Sequence, residues 1–317
     1  MILDMTIPFV EKRQRWSIGI FESRDGEQFY PAKGVPQPVL TARDVTDTNA
    51  RFVADPFMVH EKGRWYLFFE MFDAITKKGR IALAESEDAK VWHYRQVVLS
   101  EPFHLSYPFV FKHEGRYYLI PETGSQRAVR LYEAADFPLR WKYIKDLVTG
   151  ERFVDSTLFY HEKKWWMFTG TGPLAEGMLS LYFAEDLMGR WQKHPSSPIA
   201  RGYVAGARPA GRVIAAGGRL IRLAQVGDIR SNLLYYGRGV RAFEMVKLSP
   251  EEYEEREIFD TLFPKGLSRD SWNKGGMHHM DAHPMDNGRW LACVDGFRYV
   301  YLFGRGRKMK LKELFTR

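Results

Sequence analysis

Cysteine is almost missing from this chain: Cys293 is the one thiol in 317 residues. That excludes a disulfide within the chain and any cluster of thiolates around a metal. In the apolar stretch RWLACVDG it reads as a small buried filler. No run of eighteen apolar residues occurs, so no helix is expected to cross a membrane. The N-terminal MILDMTIPFVEKRQRW has neither an apolar signal core nor a small-residue cleavage site, which makes a cytoplasmic chain the expectation. No RNA- or DNA-binding motif is found, so nucleic acid is not an expected partner. The glycine-rich GTGPLAEG, Gly170 to Gly177, does not match a phosphate loop and reads as a loop at a pocket rim.

Apolar residues make up 45% of the sequence and aromatics 15%, enough to build a sizeable core. The net charge is +8, with an obvious cluster in the tail GRGRKMKLKELFTR, residues 304–317. This tail reads as a solvated basic segment, or as one drawn to anionic lipid head groups at a membrane surface.

The informative feature is a repeat. DPFMVHEKGRWYLFFE from Asp55, YPFVFKHEGRYYLIPE from Tyr107 and DSTLFYHEKKWWMFTG from Asp155 align without a gap. Each has an apolar strand, a short polar turn (Lys62-Gly63, Glu114-Gly115, Lys163-Lys164) and an aromatic strand. Looser copies begin at Ala207, turning at Gly217-Gly218, and at His279, turning at Asn287-Gly288, a strong hairpin dipeptide. A third strand follows in each unit, and an outer fourth follows the tryptophan in several, as in WHYRQVVL. Four strands at a period of about 50 residues describe propeller blades. The expected fold is therefore all-β: a five-bladed β-propeller with four-stranded antiparallel blades, one domain over residues 1–317. The strand RWSIGIFES, near residues 15–23, completes the last blade and closes the ring, and EEYEEREIFDTLF, Glu251 to Phe263, is expected to hold a short helix. The tryptophans at repeated positions read as packing between blades.

In a propeller the first strand of every blade lines the axis, so the heads of these strands converge at one end. Asp55, Tyr107, Asp155, Arg208 and the segment His279 to Asp281 should face one another, with Glu70, Glu122 and Gln225 one strand further out. Carboxylates crowded there would have separated proton affinities, as acid–base chemistry requires. His104 precedes the blade-two strand and is a further candidate for the same face.

Blades headed by Asp-Pro-like pairs and carrying AESED…W resemble the five-bladed furanosidase propellers of glycoside hydrolase families 43, 32 and 68. A closer likeness is to the N-terminal propeller domain of plant glucosamine inositolphosphorylceramide transferases and its bacterial stand-alone relatives. It is carried by WSIGIFES, LTARDVTD, FVADPFMVHEKGRWYLFFE, EPFHLSYPFVF, YYLIPETGSQRAVRLYEA and VDSTLFYHEKKWWMFTG. The hydrolase resemblance implies Asp55 as general base or nucleophile and Asp155 as the second aspartate that tunes the acid. The family's acid, a glutamate heading blade four, is missing: Ala207-Arg208-Pro209 stands there, and no glutamate lies between Glu185 and Glu244. Three readings stay open. Another acid substitutes, with Glu122 first and Glu70 or Asp281 next; or the leaving group is an anion, such as a phosphate, steadied by Arg208; or the site only binds sugar. The resemblance matches His278 or His279 to a blade-five histidine near the axis, sometimes beneath an ion. An axial ion near His279 is thus an option, and no catalytic metal or other cofactor is expected. The expected site is catalytic Asp55, Asp155 and Glu122, with Glu70, His104, Tyr107, Arg208, His278, His279 and Asp281 binding substrate. The expected partner is a carbohydrate or glycoconjugate, with an anionic donor or lipid head group as a variant. The expected activity is hydrolysis or transfer of a glycosyl unit, furanosyl by the family's habit; a non-catalytic glycan-binding or scaffold propeller is the alternative.

Overall fold

The computed structural model describes residues 6–7, 10–172, 177–202, 206–225, 237–259, 271–303 and 309–310. Its strands form five antiparallel sheets that follow one another along the chain as the blades of a β-propeller. Blade one is Ala50–Glu61, Arg64–Asp73, Lys78–Ser86 and His93–Leu99; blade two is Ser106–His113, Arg116–Glu122, Ala128–Asp136 and Arg140–Thr149. Blade three is Phe153–His161, Lys164–Thr171 and Met178–Ala184, its outer position split between Gln192–Lys193 and Ala200–Arg201. Blade four is Ile214–Ala216, Arg219–Gln225, Val240–Leu248 and Tyr253–Phe259. Blade five is Met280–Pro284, Trp290–Phe303, Val10–Ser23 and Tyr30–Pro31, so the early strand closes the ring as the pattern implied.

Two local expectations need correction. Tyr253–Phe259 is the outer strand of blade four, not a helix. Its glutamates are cross-strand partners: Glu255 holds the buried Arg222, and Arg256 pairs with Glu244 at 2.9 Å. Residues 260–263 lie outside the described residues, as do 173–176 of the glycine-rich loop and most of the basic tail. The blade-three turn is Glu162-Lys163, one residue earlier than expected. A two-residue turn of this hand needs both residues left-handed. Glu162 and Lys163 have φ of 49° and 61°, as Lys62-Gly63 have 50° and 75°.

Each of the first three blades begins with the same backbone device. Asp55, Tyr107 and Asp155 sit at φ 51°, 46° and 51°, where the pairing register of the first strand slips against the second. A bulge of this kind adds one residue, bends the strand and re-aims a side chain. A left-handed non-glycine costs about 1–2 kcal/mol. Burial of Phe57, Phe109 and Leu158, two or three residues further on, contributes about 2 kcal/mol each and outweighs it.

The core lies between the blades. Phe57 and Phe68 of blade one, Val110 and Phe111 of blade two and Leu158 and Trp165 of blade three form one buried cluster. A second tryptophan position closes the corner between third and outer strands. The indoles of Trp92, Trp141 and Trp191 donate to the carbonyls of Ala89, Pro138 and Leu187 at 3.0–3.2 Å. Cys293 is fully buried in the blade-five sheet, a packing residue as its surroundings suggested.

Candidate active site

The bulged heads bring Asp55 and Asp155 to one end of the axis, and the second strands return Glu70 and Glu122 beside them. Ala54 pairs with Glu70 and Ser106 with Glu122. Asp155 accepts from the Arg208 Nε–H and, at 2.9 Å, from the Gln225 amide. Arg208 Nη2 is 3.7 Å from Glu122 Oε2, so the one guanidinium faces both Glu122 and Asp155. Asp55 Oδ2 accepts the Tyr107 N–H at 3.2 Å, and the Asp55 N–H is donated to Asp295 Oδ2 at 3.2 Å.

Asp295 was not anticipated, although the repeat marks it. Glu70, Glu122 and Asp295 each stand seven residues past the second turn residue of their blade, Gly63, Gly115 and Gly288. Blades three and four have Gly170 and Gln225 there. Asp295 is wholly buried; its Oδ1 accepts the N–H groups of His278 and His279, both at 3.0 Å, and its Oδ2 lies 2.7 Å from His278 Nδ1. His278 Nε2 in turn lies 3.9 Å from Asp55 Oδ1.

Five buried carboxyl groups thus share Arg208 and His278, and the excess of acid shows in their proton affinities. Burial, with Asp295 and Asp155 adding to it, pushes Asp55 up to about 7 against the pull of His278 and Arg208. Burial and then Asp155 push Glu122 up to about 8, with Arg208 opposing. Glu70 is driven well above the usual carboxylate range by burial and then by Asp55 and Glu122. Asp295 goes the other way: burial opposes its ionisation, but His278 and the backbone N–H groups hold it low. Burial likewise works against the His278 cation, and Asp295 and Asp55 outweigh it, holding the imidazole above its ordinary value.

His104 lies at the edge of this set. Its Nδ1 accepts the Gly79 N–H at 2.8 Å, so the ring proton sits on Nε2, 3.6 Å from Glu70 Oε1. The histidine is half exposed, which gives Glu70 a polar neighbour open to solvent.

Three of the expected binding residues lie buried and hydrogen-bonded to the scaffold. The Tyr107 hydroxyl meets Thr157 Oγ1 at 2.7 Å and accepts the Gly211 N–H at 2.7 Å. His279 Nε2 faces the Pro56 carbonyl at 2.9 Å, and burial depresses its imidazole to about 4, so the ring is neutral and donates there. Asp281 accepts from Arg212 at 2.7 Å, from His283 at 2.8 Å and from the Met58 N–H at 2.7 Å. Burial opposes its charge, but Arg212 and His283 hold it below the usual range. Arg212 also caps the Val110 carbonyl and lies over the Phe109 ring, so it fills the axis beneath the carboxylates.

The ligating atoms of Asp55, His278 and Asp295 lie within 4.8 Å of one another. The Asp295 oxygens accept three backbone N–H groups and lie beside the imidazole edge. Chemically, the ring of acids sets an ionisable Asp55 on blade one near Glu122 of blade two, which holds its proton more tightly.

The sequence model of the family described as glucosamine inositolphosphorylceramide transferase 1, N-terminal, matches residues 12–297. Glucosamine inositolphosphorylceramide transferase 1 of Arabidopsis thaliana is 34% identical over 303 residues, covering 89% of this chain and 39% of the relative. The protein of the same name from Oryza sativa subsp. japonica is 33% identical over 303 residues, covering 89% and 40%. The chain thus spans about two fifths of the curated relatives it matches. Among solved structures, a family 117 glycoside hydrolase from Zobellia galactanivorans superposes with a TM-score of 0.54 at 13% identity, over 82% of this chain and 89% of that one. A family 32 β-fructofuranosidase of Bombyx mori gives 0.56 at 14% identity, over 84% and 64%. These two likenesses concern the fold. Among the described residues no helix is long and apolar enough to cross a membrane.

Proposed function

The chain belongs to the glucosamine inositolphosphorylceramide transferase N-terminal family, and from that premise we propose that its axial pocket acts on a glycosidic bond of a glycoconjugate, with Asp55 as base or nucleophile. The observation that carries this reading is the pairing of two environments. Asp55 gives up its proton near 7, while Glu122, coupled to Asp155, keeps one to about 8. Burial raises both, and in this reading the group with the lower value serves as base and the one with the higher value as acid. Glu122 is then the proton donor that stands in for the missing blade-four glutamate, and Asp155 sets its affinity. Glu70 and His104 border the substrate's hydroxyl groups. The relatives' name speaks of glucosamine and inositolphosphorylceramide, so the ligand class is a sugar on a phosphorylated lipid or a donor that feeds it. We place the protein at the cytoplasmic side of that chemistry, meeting the membrane peripherally through its basic residues, as a single propeller domain.

A second reading has its own observation. Arg208 replaces the family's acid and is bound to Asp155 and Glu122, so its charge is largely spent inside the protein rather than on an anionic leaving group. A glycan-binding or scaffold propeller would tolerate that arrangement. The experiment is turnover of aryl furanosides, nucleotide sugars and inositolphosphorylceramide acceptors by the protein and by Asp55→Asn. Loss of at least about 100-fold with retained sugar binding supports the enzyme. Equal turnover by both proteins rejects Asp55 as the reacting carboxylate, and binding without turnover on any donor establishes the scaffold.

A further inference from the structure

Asp55 is held from a direction that its proposed role alone does not require. The His278 ring stacks on Trp16 of the strand Val10–Ser23, centroids 4.2 Å apart at 29°. One edge of the ring faces Asp295 and the other faces Asp55. Asp295 is itself fixed by the two N–H groups at the head of blade five and by the Asp55 N–H. Three separate parts of the chain therefore converge on the position of one imidazole, whose free movement the indole face removes.

We propose that Asp295 and His278 form a positioning pair for Asp55, Asp295 fixing the imidazole and the imidazole holding Asp55 as an ionised, oriented carboxylate. The inference rests on the proposed role of Asp55. No bond to His278 forms or breaks: when Asp55 takes a proton from an attacking hydroxyl, that proton stays on Asp55, and the imidazolium keeps both of its own. The pair works by charge and aim. It is needed because of what else faces Asp55. Burial, then Asp295 and Asp155 of blade three, oppose its ionisation, and Asp55 once ionised raises Glu70 and Glu122 in turn. Against them stand Arg208, already shared with Asp155 and Glu122, and His278. The neighbouring His279 is neutral, and Asp281 is balanced by Arg212 and His283. Tyr107, whose N–H Asp55 accepts, carries no charge. Among the described residues, removing His278 thus withdraws a cation that faces Asp55 directly.

The test reads the pair without a substrate. Imidazole nitrogen spectra of His278, assigned with His278→Gln, are followed from pH 5 to 9 in the wild type, Asp295→Asn and Asp55→Asn. Carboxyl-carbon spectra of Asp55 are followed in the wild type and His278→Gln, with thermal melts to confirm that each variant folds. The expected result is a doubly protonated His278 at pH 7. Its midpoint should fall by about 1 pH unit or more in Asp295→Asn and by less in Asp55→Asn, and the Asp55 midpoint should rise in His278→Gln. Should Asp295→Asn fail to fold, the Asp55 titration in His278→Gln decides alone. A neutral His278 at pH 7, or an Asp55 midpoint indifferent to His278→Gln, overturns the pair. Coupling that persists while no substrate depends on Asp55 rejects the functional reading and leaves Asp295–His278 as a structural clamp; Asp55-dependent turnover without coupling rejects the pair alone.

Discussion

At the scale of single residues the pocket is a problem of proton bookkeeping. In the proposed mechanism the base must be empty and the acid full at the same pH. With Asp55 near 7 and Glu122 near 8, that condition holds only between the two values. Activity should therefore rise as pH climbs through about 7, when Asp55 deprotonates, and fall above about 8, when Glu122 loses its proton. Glu122→Gln, an acid that can neither give nor lose a proton, should lower kcat by about 10²–10⁴-fold and erase the alkaline limb, as a pH series of initial rates would show. A profile that keeps its alkaline limb in Glu122→Gln would assign the acid elsewhere. The repeat announced Asp55, Asp155, Glu70 and Glu122, because position in a blade fixes position around the axis. It marks Asp295 equally well, seven residues past its turn, although the fifth copy begins on histidines rather than on an Asp-Pro pair. Nothing in the sequence shows that Arg208 faces both Asp155 and Glu122, since that depends on how it leans across a neighbouring blade.

At the scale of strands, the bulged heads separate two kinds of residue that look alike in the alignment. Asp55 and Asp155 point their carboxylates into the pocket, while Tyr107, at the same position with the same backbone angle, sends its ring down the axis. Its hydroxyl joins blade two to blade three through Thr157 and to blade four through the Gly211 N–H. Tyr107→Phe leaves that buried N–H unpaired, which should cost about 1–3 kcal/mol in urea denaturation. Sugar affinity should stay unchanged in titration calorimetry; a selective loss of affinity with full stability would make Tyr107 a binding residue instead. The same scale explains the misread outer strand. Tyr-Glu-Glu-Arg-Glu-Ile has the composition of a helix, yet an edge strand of charged residues alternating across a blade is equally polar, and pairing with Val240–Leu248 decides it.

At the scale of the whole molecule, one strand decides whether there is a ring. Val10–Ser23 pairs along its whole length with Trp290–Phe303, and it carries Ile18, Ile20 and Phe21 into the core. Removing residues 10–23 should leave an open arc of blades with exposed edges, seen as loss of a single cooperative thermal transition, and a synthetic peptide of residues 10–31 should restore it in trans. Cooperative melting of the shortened chain alone would mean that the blades stand without closure. Blade number and closure were readable from the spacing of the copies, because a repeat that fills four strands per period leaves the early strand no other place.

Closure also sets a timetable. Trp16 is made well before its stacking partner His278 and the strand that holds it, Trp290–Phe303. Blades one to three can settle as they emerge, but Asp55 waits for its imidazole until nearly the whole propeller has been translated. Until then the acidic ring lacks His278 and the blade-five edge is open, so a chain interrupted before Asp295 carries Asp55, Glu70, Glu122 and Asp155 without the pair proposed to hold Asp55.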